Sequence, residues 1–88
     1  MSHRALGTIT ILSGDRHNSS EAMNKLLTKH GHQIMARLGV NVVPKCTERC
    51  PGLIALAVDS TREELEEITK ELKAIPDIKA TLCIMLEE

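Results

Sequence analysis

A two-layer α+β fold, with four antiparallel strands and two helices packed on one face, is what this sequence predicts, and three observations predict it. Residues at strand periods recur four times, at Ala5–Leu12, Gln33–Val43, Leu53–Val58 and Ile78–Leu86. Two helical periodicities, each behind a capping signal, separate the first run from the second and the third from the fourth. The order is therefore β-α-β-β-α-β, the ferredoxin-like arrangement, whose right-handed crossovers put both helices on the same side of the sheet.

Each element has its own signal. Thr8 and Thr10 alternate with Ile9 and Ile11 in the first strand, and Gly14-Asp15 marks the turn that ends it. Asn18 is expected to cap helix one with Glu21 completing the box, after which Ala22, Met23, Leu26, Leu27 and His30 fall at helical spacing. That helix is expected to stop at His30, with Gly31 in the left-handed conformation of a C-cap. The second strand runs from Gln33 to Val43, with a bulge expected at Gly39, and Pro44 closes it. KCTERCPG, residues 45 to 52, is a polar loop, and the continuously apolar Leu53–Val58 suits an interior strand. Ser60-Thr61-Arg62-Glu63 reads as a capping box before the stripe Leu65, Ile68, Leu72 and Ile75, which ends at Pro76. In the last strand Ile78, Ala80, Leu82, Ile84 and Leu86 alternate with Lys79, Thr81, Cys83 and Met85. The sheet face away from the helices is thus apolar in part, and a homo-oligomer, dimer or tetramer, is expected to cover it.

Length and composition narrow the function. With 88 residues the chain is expected to be one domain over 1–88 with a modest core. A formal charge of −1 supplies no field for a phosphate backbone or an anionic membrane. Without Trp, Tyr or Phe there is no stacking platform, so direct binding to nucleic acid is not expected. No segment has the apolar length of a signal peptide or a membrane helix, and three cysteines make no disulfide framework, which together predict a cytoplasmic protein. No activated nucleophile, carboxylate pair or phosphate-cradling glycine loop is evident, so an enzyme is not expected.

Three constellations are candidates for chemistry. His30, His32, Cys46 and Cys50 are borderline or soft ligands suited to Ni, Zn or Fe, but a tetrahedral site needs about four of them to converge. The plainer alternative makes His30 the end of an amphipathic stripe and His32 a polar strand-entry residue. Cys46-x3-Cys50 departs from the C-x2-C of zinc ribbons and redox motifs, yet two thiols on one loop can form a reversible disulfide or share a soft metal with a second copy. Gly14, Asp15, Arg16, His17 and Asn18 join strand one to helix one, where unpaired N–H groups and Arg16 suit a small anionic effector; the alternative is an ordinary capped turn.

The stretches GTITILSGDRHNSSEAMNKLL, HQIMARLGV and LIALAVDSTREELEEITKELKAIPDIKAT together carry a resemblance. Arg37-Leu38-Gly39, Val58-Asp59-Ser60-Thr61 and Ile75-Pro76-Asp77-Ile78 are its most characteristic pieces. The chain resembles the small stand-alone ACT-like proteins described as regulators of the iron-only hydrogenase system. That family is similar to the C-terminal nickel-sensing domain of nickel-responsive repressors and to amino-acid-sensing ACT domains, whose ligands sit where subunits meet. The resemblance implies an oligomeric module that senses a small effector or a metal ion at a subunit interface and signals to a protein partner, linked to hydrogenase expression or maturation. It also implies that the 14–18 junction lines the effector pocket. The competing reading is a soft-metal carrier or a redox-responsive protein that uses the Cys46/Cys50 loop. Soft-metal carriers of this fold hold their metal with C-x2-C between strand one and helix one, where this chain has no cysteine.

Overall fold

The computed structural model describes residues 4–41 and 50–88. Strand β1 is Ala5–Ser13, helix α1 is Arg16–Lys29, and a single 3-10 turn, Gly31–Gln33, leads into β2, Ile34–Asn41. Strand β3 is Gly52–Ser60, α2 is Arg62–Lys73 and β4 is Ile78–Glu87. The strands lie in the order β2-β3-β1-β4, and every neighbouring pair is antiparallel. This is the ferredoxin-like α+β fold, a four-stranded antiparallel sheet with two helices on one face, as the element order implies.

The alternation within the strands builds the core. Ile9 and Ile11 of β1, Ile54, Leu56 and Val58 of β3, and Ile78 and Ala80 of β4 turn toward the helices and are buried. Helix α2 meets them with Leu65, Ile68 and Leu72, each essentially without solvent contact. Full burial of each such side chain stabilises the fold by about 1.5–3 kcal/mol. Helix α1 contributes less, with Met23 and Leu27 buried and Leu26 half-buried.

The helix ends differ from the expected ones. Asp15, in extended conformation, caps α1 by accepting a hydrogen bond from the His17 N–H at 3.3 Å, so the helix begins before Asn18 and takes Arg16–Asn18 into its first turn. Gly31 is not left-handed; His30 ends α1 and the chain tightens into the 3-10 turn, because the Gln33 N–H reaches the His30 carbonyl at 3.0 Å. Thr61, not Ser60, caps α2, accepting from the Glu64 N–H at 3.2 Å.

Gly39 pairs in regular register with Ile54, and the bulge lies earlier in β2, between Ile34 and Ala36. A second bulge, opposite Leu6 and Gly7, makes Met85 the extra residue of β4. It reverses the side of the chain beyond it, so that Leu86, expected inward, pairs with Leu6 and is half exposed. Gly7 is required here, since a Cβ would overlap the Cys83 carbonyl oxygen. The expected extension of β2 to Val43 and most of the cysteine loop lie outside the described residues.

Candidate functional site

The β1–α1 junction is tied into its surroundings. The Gly14 N–H donates to the Asp77 carbonyl at 3.0 Å, and a Cβ on Gly14 would displace the Asp77 carboxylate that packs against it. The Asp15 carboxylate, besides capping α1, accepts from the Cys50 N–H at 3.3 Å and so pins the start of β3 to the helix. Gly14 and Asp15 therefore serve as joints between β1, α1 and the α2–β4 turn. His17 is exposed in the first turn, and the side chains of Arg16 and Asn18 lie outside the described set.

At the other end of α1 His30 meets a carboxylate. His30 Nδ1 lies 3.1 Å from Gln33 Oε1, and its Nε2 lies 3.2 Å from Glu71 Oε2. Gln33, itself buried, donates from Nε2 to Ser60 Oγ at 3.2 Å and to Glu64 Oε2 at 2.6 Å, and Ser60 Oγ also bonds Glu64. The hydrogen bonds from Ser60 first, then from Gln33, hold the Glu64 carboxyl below its ordinary pKa. The network ties the 3-10 turn and the end of β3 to α2, and both His30 ring nitrogens are engaged in it. His32 is exposed.

Of the candidate metal ligands, His30, His32 and Cys50 lie among the described residues, and these three do not converge within one chain. Cys50 packs by the N-terminus of α1 and the histidines lie at its C-terminus, and a 14-residue helix spans about 21 Å. Cys50 is buried, and its sulfur is held in a disulfide whose other half lies outside the described residues, as does Cys46. Among the described residues no group of three or more His, Cys, Asp or Glu side chains is placed to hold a metal ion. Cys83 is a free, exposed thiol, 3.5 Å from Met85 Sδ.

A groove of about 240 Å³ lies between α1 and strands β2 and β3. Met23 and Ile54 give it apolar walls, Ser20 and Asn24 line it from the helix, and Gly39 lies on its β2 side. Arg37 lines it and donates from Nη2 to Asn24 Oδ1 at 2.9 Å. Sequence reasoning missed this site because a plain period of two puts Ile34 on the same side as Ala36, Leu38 and Val40. The bulge after Ile34 breaks that period and leaves Arg37 and Gly39 on the helix side, opposite the core residues Leu56 and Ile54. An arginine two positions from a glycine in an otherwise aliphatic strand was the available signal. A wider trough between α2 and β4, about 480 Å³, is lined by Arg62, Glu66, Lys70 and Lys73, charges of both signs.

The second feature is the open face of the sheet. Registered across β2-β3-β1-β4, its rows read Val40, Leu53, Leu12, Lys79; Leu38, Ala55, Thr10, Thr81; and Ala36, Ala57, Thr8, Cys83. Lys79 is the one charged side chain in these rows. Leu38 is 66% exposed and Val40 50%.

Comparison with known proteins fits this architecture. The structure is similar to that of an uncharacterized protein, TM1266, from Thermotoga maritima, with a TM-score of 0.81 and 18% identity over 94% of this chain and 99% of that one. It is also similar to a protein described as unknown from Galdieria sulphuraria, with a TM-score of 0.70 and 13% identity over 94% of this chain and 50% of that one. At these identities the likeness is one of fold. No curated protein sequence matches the chain. The family model described as "TM1266-like: Iron-only hydrogenase system regulator, putative" matches residues 5–81, most of the length, and the chain belongs to that family.

Proposed function

We propose that this protein is a ligand-responsive regulatory module that works as a homo-oligomer, takes up a small effector or a metal ion, and passes its state to a protein partner of an iron-only hydrogenase system. The observation that carries the reading is the open sheet face. Four strands about 4.8 Å apart and eight to ten residues long project to roughly 570 Å², of the same order as the ~800 Å² each partner contributes to a standard interface. Its rows of Leu, Val and Ala, with threonines and one corner lysine, suit burial against a second copy. The family description supports the regulatory part. Native mass spectrometry with and without Ni(II), Zn(II) and Fe(II) tests it: a dimer or tetramer is expected, and a monomer under all conditions overturns the oligomeric reading. Metal-free oligomers throughout remove the metal-sensing version and leave the small-molecule one.

A redox-responsive reading is favoured by one observation, the disulfide at Cys50 beside the Asp15 cap. Thermal unfolding with and without a phosphine reductant tests it. A drop of several degrees on reduction supports it, and an unchanged midpoint removes it.

A further inference from the structure

We propose that the groove between α1 and β2 is a binding site for a small carboxylate with a short apolar body, and that Arg37 recognises its charge. This rests on the reading of the chain as an effector-binding module; it names the effector's chemical class and locates its site within one chain.

Three observations carry it. First, Arg4 and Arg62 each fork onto a carboxylate, Asp59 and Glu87, through bonds of 2.7–3.2 Å. Arg37 is paired with no carboxylate among the described residues; it is held only by the neutral Asn24 oxygen. A guanidinium has five N–H donors in a planar fork that matches a carboxylate, and one bond to Asn24 orients it without neutralising it.

Second, the opening beside Arg37 is not forced by the backbone. Gly39 has no left-handed φ, and a Cβ built on it would touch only Ile54 Cγ1, at an ordinary 3.9 Å. A Cβ would be accommodated there, so glycine at this helix-facing position leaves a space that the backbone does not require.

Third, size and charge select the ligand. A volume of about 240 Å³ equals the liquid volume of roughly eight waters, below the range of drug-sized pockets. Apart from Arg37 no charged side chain lines the groove among the described residues. One cation with apolar walls from Met23 and Ile54 suits a single negative charge on an aliphatic body better than a phosphate dianion.

The test uses the full chain and four probes: isovalerate, 4-methyl-2-oxopentanoate, the neutral isovaleramide and inorganic phosphate. Thermal unfolding and calorimetric titration are run on wild type, Arg37→Gln and Gly39→Leu. At tenfold over its Kd a carboxylate probe is expected to raise the wild-type midpoint by about 6–11 °C, with smaller or no shifts from the amide and from phosphate. Arg37→Gln is expected to weaken carboxylate binding at least about tenfold. Gly39→Leu is expected to keep the unliganded midpoint and circular dichroism while losing binding, which keeps the test sound if Arg37→Gln folds poorly. Absence of a shift with both carboxylates, an equal shift with amide or phosphate, or unchanged binding in both variants overturns the proposal. Subunit count from the same samples separates the two ideas: an oligomer that ignores carboxylates sinks the groove alone, and a monomer that binds them sinks only the oligomeric reading.

Discussion

Glu64 shows how one carboxylate links pH to stability. Its folded pKa is depressed by hydrogen bonds from Ser60 and Gln33, so the unfolded chain binds its proton more readily. A depressed carboxylate contributes stability that is full above its ordinary value near 4.5 and is lost as the pH falls through the lower folded value. Glu64→Gln is therefore expected to lower the melting midpoint at pH 6–7, and the gap from wild type is expected to narrow as the pH approaches 3. A constant gap across thermal scans from pH 3 to 7 counts against the linkage. Gly7 makes a steric prediction at the same scale. Because a Cβ there meets the backbone of Cys83 and Ile84 rather than a side chain that can swing away, Gly7→Ala is expected to cost about 3 kcal/mol in urea unfolding. The same change at Gly39 is expected to leave the stability nearly unchanged, since only Ile54 comes near, at an ordinary contact distance.

At the scale of the elements, what was legible in the sequence was what periodicity records. The six elements and their order follow from Ile9/Ile11, from Leu65, Ile68 and Leu72, and from the alternation of β4, because each pattern reports burial directly. The caps were misplaced by up to three residues because several residues at each site have capping side chains. Backbone geometry and distant partners such as the Cys50 N–H chose Asp15 over Asn18. The groove was illegible for a different reason: a bulge changes which side of a strand faces inward without changing composition, so a plain period of two does not place Arg37 beside α1. The caps can be weighed. Thr61→Ala is expected to cost about 1 kcal/mol, and Asp15→Ala more, since its carboxylate also holds Cys50. Equal losses in denaturant titrations would mean that the bond to β3 contributes nothing.

For the whole molecule, the two faces of the sheet have different tasks. One is covered by α1 and α2, and the other exposes aliphatic side chains in register across all four strands. Leu38→Glu puts a charge at the centre of the β2 side of that face, where it is 66% exposed and leaves the core untouched. It is expected to weaken self-association at least about 100-fold with the monomer fold retained. Sedimentation of wild type and variant over a range of concentrations measures this, and unchanged assembly would direct attention to another surface. No helix among the described residues is long and apolar enough to cross a membrane. The bulges at Ile34–Ala36 and Met85 have a last consequence. They sit in the two outermost strands at the same level of the sheet, near Gly7 and Val58, and kink both rims of the ladder. A kinked rim is a poor template for another strand, so the protein can keep a sticky face for specific pairing while its borders resist the open-ended, fibre-like growth that straight borders invite.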